Sequence, residues 1–136
     1  MLDELRERMI ARLSAHRTCV LATATIDGAS MMPVRYRNLR LEVDCLLPRW
    51  SDVTYYVEQD SRVSLVIHAT NSGELCWLLL QGTARAVDAP VWDELLPDVP
   101  LQARPEALYL VVRVTPRRLE LADESRGWGV RETLDV

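Results

Sequence analysis

Two β-rich runs, TCVLATATI from Thr18 to Ile26 and ASMMPVRYR from Ala29 to Arg37, are separated only by Asp27-Gly28. Asp-Gly between such runs is a strong hairpin signal, because a type I′ turn needs positive φ at both central residues. The chain is thereby committed to antiparallel pairing from its first strands. Pro33 has no amide to donate, which puts it near a strand edge or a bulge.

The other elements follow from periodicity. Residues 2 to 16 set Leu2, Leu5, Met9 and Leu13 at helical spacing with charged residues between them, so one amphipathic helix precedes the hairpin. Arg37-Asn38 is read as a second tight turn. Leu39, Leu41, Val43 and Cys45 then alternate with charged residues up to Pro48, as a half-buried strand does. Ser51 is placed to cap a short helix whose first turn holds Asp52 and whose apolar face holds Val53, Tyr56 and Val57. Strand character resumes from Arg62 to Ile67, turns at Asn71-Ser72-Gly73 and continues from Leu75 to Val87, with Gly82 marking a bulge or a close backbone approach. Pro90 to Leu96 is read as a second short helix, Pro97 to Pro105 as loop, Leu108 to Val114 as a strand, Pro116 as a break and Leu119 to Leu121 as a last short strand. The result is a mainly β fold: a six- to seven-stranded antiparallel barrel with an N-terminal helix and two short helices.

A chain of 136 residues suits one domain, with a core over about residues 2 to 122 and a polar tail from 123 to 136. Net charge is −4, so no basic footprint for nucleic acid is present, and no apolar run is long enough to span a membrane. All 16 cationic side chains are arginine, so an anion site must use planar guanidinium forks, hydroxyls or backbone amides. Cys19, Cys45 and Cys76 sit in apolar runs without metal spacing and read as reduced thiols of a cytoplasmic protein.

The order of TIDGASMMPVRYR, PRWSDVTYYVEQDSRVSLVI and LLQGTARAV resembles the pyridoxamine 5′-phosphate oxidase-like split β-barrel flavoproteins, of Greek-key type, over about residues 2 to 122. That resemblance implies a homodimer with FMN in a groove between two barrels. It assigns the isoalloxazine edge to Val34, Arg35 and Tyr36, the phosphate to Arg49, Trp50, Ser51 and Thr54, and a contact from the partner subunit to Gln81 and Gly82. Relatives place a phosphate-binding lysine at the start of the short helix, where this chain has Val53-Thr54; Arg49, Ser51 and the first amides of that helix are the available substitutes. The tail GWGVRETLDV lacks the paired arginine and histidine of true vitamin B6 oxidases, which argues against authentic pyridoxamine 5′-phosphate oxidase activity.

Arg35 and Arg37 flank Tyr36 and share a strand face if the strand runs through all three, and one guanidinium beside the flavin would stabilise its reduced form. The bland alternative is a solvated pair at a hairpin end. Ser51 serves as an N-cap in either case. Trp50 is a stacking or interface aromatic, Trp77 and Trp92 are core or interface residues, and Trp128 is the tryptophan best placed to reach a partner's site. His16 and His68 are the only histidines, and either would serve as an axial ligand were the cofactor haem. No Ser/His/Asp or Cys/His grouping supports nucleophilic chemistry. The expected function is FMN-dependent hydride transfer with a nicotinamide or small substrate. The alternative is a non-catalytic carrier of flavin, deazaflavin or haem on the same dimeric barrel.

Overall fold

The computed structural model describes residues 1–25, 28–71, 73–98, 100 and 104–136. The chain runs α1 (Leu2–Ser14), β1 (Thr18–Thr25), β2 (Gly28–Leu39), β3 (Glu42–Pro48), α2 (Asp52–Gln59), β4 (Arg62–Asn71), β5 (Glu74–Ala86), α3 (Trp92–Leu95), α4 (Pro105–Leu108), β6 (Tyr109–Asp123) and β7 (Arg131–Asp135). The sheet order is β3-β2-β1-β4-β5-β6-β7, and a further pairing of β3 with β6 closes six strands into an antiparallel barrel. β6 makes the closure possible by its length: residues 109–114 pair with β3, whereas residues 118–122 pair with β7 outside the barrel.

Alternation along each strand fills the interior. Cys19 and Leu21, Val34 and Tyr36, Val63, Leu65 and Ile67, and Leu78 and Leu80 all point inward and are buried. α1 joins them through Leu5, Met9 and Leu13, and α2 through Val53 and Val57. A 13-residue helix is marginal alone, but three buried side chains at about 1.5–3 kcal/mol each are enough to fix α1 on the barrel. Leu2, expected on that stripe, is exposed, and the helix stops at Ser14.

Several boundaries differ from the sequence reading for identifiable reasons. Thr25 pairs with Gly28, so Gly28 opens β2 instead of sitting within the turn; residues 26 and 27 lie outside the described residues. Arg37-Asn38 is not a turn. β2 continues to Leu39, and the reversal falls at Arg40-Leu41, where Arg40 takes φ 55° and its carbonyl accepts a hydrogen bond from Asn38 Nδ2 at 3.0 Å. The asparagine thus signals the turn from two residues before it. At the next turn Asn71 pairs with Glu74 and Gly73 takes φ 81°, while Ser72 lies outside the described residues.

Pro116 does not break the last strand. β6 runs 15 residues through it, because the register slips there: Gln81 pairs with Arg118 and Gly82 with Pro116, leaving Arg117 as the extra residue of a bulge. The in-strand glycine signals this correctly, since a Cβ on Gly82 would lie 2.2 Å from the Thr115 carbonyl oxygen. Arg117's carbonyl, left over by the bulge, accepts the Val136 amide at 2.9 Å. The tail is therefore a strand in its second half, with Leu134 buried and Glu132 held by both terminal nitrogens of Arg8 on α1. Pro90 precedes α3 without belonging to it. A further short helix, α4, begins at Pro105, inside the stretch read as loop.

Candidate functional site along β2

A groove follows the outer side of β2 in two compartments that share Thr18 and Arg35. The smaller, about 260 Å³, lies among Pro33, Val34, Leu46, Pro48 and Tyr109. The larger, about 470 Å³, is bounded by the α1–β1 corner at Ser14 to Arg17, by β2 from Arg35 to Asn38, and by a strap from Glu94 to Asp98. Arg35 and Pro33 alternate with the inward-facing Val34 and Tyr36, which puts both outer residues on the groove side.

Tyr36 holds the floor. Its phenol points into the core and donates to the Leu13 carbonyl at 2.5 Å, one of the last-turn carbonyls of α1, while its amide donates to the Arg17 carbonyl at 2.9 Å. Burial pushes the Tyr36 phenol well above the ordinary range, so it stays a donor at physiological pH. Beneath it, contact with the Cys19 sulfur together with burial raises the Cys45 thiol, which stays protonated and unreactive in the core.

The charges in this region form a chain. Asp44 on β3, 3% exposed, receives two bonds from Arg113 on β6, 2.8 Å from Nε and 3.0 Å from Nη2, and lies 3.7 Å from Arg37. Arg37 turns its other side to Glu94 of the strap, and Arg17 pairs with Asp98 at 3.6 Å. Arg35 has no hydrogen bond or ion pair among the described residues. The sequence reading missed Asp44 and the strap. The available signal was the run Asp44-Cys45-Leu46-Leu47, in which alternation fails: β3 is buried on both faces, so a carboxylate within it must be paired.

The corner after β3 is organised differently. Ser51 caps α2, its Oγ accepting from the Thr54 amide at 3.1 Å. Thr54 is itself buried, and both hydroxyls reach the Pro48 carbonyl, at 3.2 Å from Ser51 and 2.5 Å from Thr54. Arg49 donates from Nε to the Glu106 carbonyl at 3.0 Å, which leaves its terminal nitrogens free among the described residues. Trp50 and Trp128 are 84% and 85% exposed, so neither ring has packing of its own. Gln81 is exposed on β5 and Gly82 is buried in the bulge; they line neither compartment, nor do residues 49 to 54 or Trp128. Val34, Arg35 and Tyr36 are the expected site residues that the structure brings together in the groove. His16 also lines the larger compartment, whereas His68 lies on the outer face of β4 opposite Trp77.

Comparison with known proteins places this geometry. No protein-family model matches the chain, and no curated protein matches it in sequence. Solved structures do match. A candidate pyridoxamine 5′-phosphate oxidase from Listeria innocua superposes with a TM-score of 0.72 over 86% of this chain and 97% of its own, at 17% identity. The fold is that of the pyridoxamine 5′-phosphate oxidase-like split barrel. Similar split barrels include an FAD-binding protein of Mycobacterium smegmatis, with a TM-score of 0.68 over 86% of this chain and 93% of its own at 12% identity. A haem-binding protein of the same organism gives 0.72 over 96% of this chain but only 56% of its own, at 18% identity. At such identities the likeness is one of fold, and the chemistry must be argued from this split barrel's own residues. Among the described residues no helix is long and apolar enough to cross a membrane, and no cluster of metal ligands occurs.

Proposed function

We propose that the β2 groove holds a flavin, FMN in the first instance, and that the protein is a flavin-dependent oxidoreductase exchanging a hydride with a nicotinamide or small substrate. One observation carries this reading: Arg35, a cation without an ion-pair partner among the described residues, sits where the two compartments meet, beside the backbone of Val34 and Tyr36. The flavin supplies the hydride chemistry. The chain's part is to position the ring along β2 and to offset, with Arg35, the negative charge that the ring system gains on reduction. The residues at the corner fit a phosphate end: Arg49 has free terminal nitrogens, and Ser51 and Thr54 shape the first turn of α2, whose amides favour an anion. Asp52 in that turn opposes the anion and weakens the grip.

A dimer belongs to this reading. The outer face of the barrel is apolar across three strand pairings, Pro33 beside Val20, Val20 beside Val66 and Val66 beside Leu79, with Met31 beside Ala22 in the next row. Such a contiguous face suits a second copy. Gln81 shares that face through Ser64 and Ala22, which would bring it to the partner's groove, and the bare ring of Trp128 is available for the same purpose.

The test is anaerobic mixing of the flavin-loaded protein with NADH or NADPH, followed by readmission of an acceptor. Repeated bleaching and recovery of the flavin absorbance is expected for an enzyme. Absence of any reduction would leave a carrier of flavin or deazaflavin. A haem carrier is the second reading, favoured by His16 in the larger compartment; it requires a Soret band with added haem that His16→Ala removes.

A further inference from the structure

We infer that the larger compartment binds a small carboxylate, which engages Arg35 and takes the place of Glu94 on Arg37. This rests on the reading that the groove is the binding site, and names the class of molecule that would meet the flavin there. The charge count comes first. Among the described residues the compartment is lined by three guanidiniums, Arg17, Arg35 and Arg37, against two carboxylates, Glu94 and Asp98, which leaves one positive charge in excess on a chain whose net charge is −4. Asp44 does not cancel that excess, because Arg113, which donates to both its oxygens, brings an equal and opposite charge.

Next comes the ease of exchange. Arg37 keeps 24% of its side chain exposed and is anchored from behind by Asp44, so it is held in place whatever sits in front of it. Glu94 is 58% exposed on a helix of only four residues, and Asp98 is 87% exposed. Exposed pairs of this kind contribute about 0–1 kcal/mol, so an incoming anion displaces Glu94 at little cost. Finally, the chain's own partners for these arginines indicate the chemistry. Both are planar carboxylates, and a guanidinium fork receives a planar carboxylate through two parallel bonds.

The experiment is calorimetric titration with succinate, with its neutral diamide succinamide and with inorganic phosphate, on protein both free of flavin and loaded with FMN. Succinate is expected to bind and succinamide not. Arg35→Gln should weaken succinate about tenfold or more, the loss of a charge-assisted hydrogen bond, without moving the melting temperature. Glu94→Gln should tighten it several-fold, because Arg37 loses its internal competitor; a merely structural Glu94 would not do this. The inference is overturned by no succinate binding in either form, by equal binding of succinamide, by phosphate outcompeting succinate, or by Glu94→Gln having no effect or weakening it. Flavin retention on the same samples separates the two readings. Protein that binds succinate but retains no flavin overturns the flavin reading alone, and the converse overturns this inference alone.

Discussion

The corner from Pro48 to Thr54 and the length of β2 from Arg35 to Asn38 are both polar, yet they use their polar atoms in opposite ways. At the corner Ser51 and Thr54 spend their hydroxyls on one carbonyl of the same segment, and Arg49 spends its Nε on another. Along β2 the backbone is satisfied by its ladders, while Arg35 has no partner among the described residues and Arg37 meets Glu94, an exposed carboxylate on the four-residue α3. Polar residues close in sequence mark a place where the chain turns; polar residues projecting from a paired strand are left over for something else.

The largest effect that would sharpen this contrast comes from beneath the groove. Asp44→Ala strands Arg113 and Arg37 and should cost about 3 kcal/mol in urea denaturation, the low end for a broken buried pair, because both guanidiniums keep roughly a quarter of their surface. Glu94→Ala, on the open side of the same Arg37, should cost under about 1 kcal/mol. Equal losses would erase the distinction between support and binding surface.

At the corner, Thr54→Val should lower stability by about 1–2 kcal/mol by removing a buried hydroxyl's bonds to Pro48 and Ser51, with little change in flavin affinity. A large loss of binding with intact stability would move the ligand role back to that hydroxyl. Arg49→Ala should weaken FMN about tenfold and leave riboflavin, which lacks the phosphate, unchanged in fluorescence titrations. Equal losses for the two flavins would remove the phosphate from the corner.

The smallest effect concerns the far end of α2. The Asp60 carboxyl receives the Arg62 side chain and amide, which hold it at about 2 against an ordinary 3.8. A lowered folded value means that its contribution is fully present above the unfolded value and is lost as the pH falls through about 2. Asp60→Asn should therefore melt slightly below the parent at pH 7 and together with it near pH 2. A gap that widens on acidification would contradict the assignment.

Much of the barrel was legible in the sequence because its signals are local: the β-rich runs that form β1 and β2, the strand character of β4 and β5, the cap at Ser51, the glycine at Gly82. What was not legible depended on partners far along the chain. Pro116 reads as a break until the slip against Gly82 gives a residue without an amide donor a place within a strand. β7 is polar but for Leu134, and it is a strand only because β6 outlasts β3 and offers a second edge. In the groove, Val34, Arg35 and Tyr36 are residues that the family resemblance names; the strand pattern by itself gives only the alternation that turns Arg35 outward between Val34 and Tyr36. The strap at Glu94 to Asp98, and the burial of Asp44, follow only from where α3 and β6 close on β2 and β3.

The most direct test is the visible spectrum of the purified protein after incubation with FMN and desalting, for the parent and for Arg35→Gln. Flavin bands retained by the parent and reduced at least about tenfold in the variant, with both melting alike, are the expected result. A colourless parent, or a variant that holds flavin as well as the parent does, would contradict a flavin seated at Arg35.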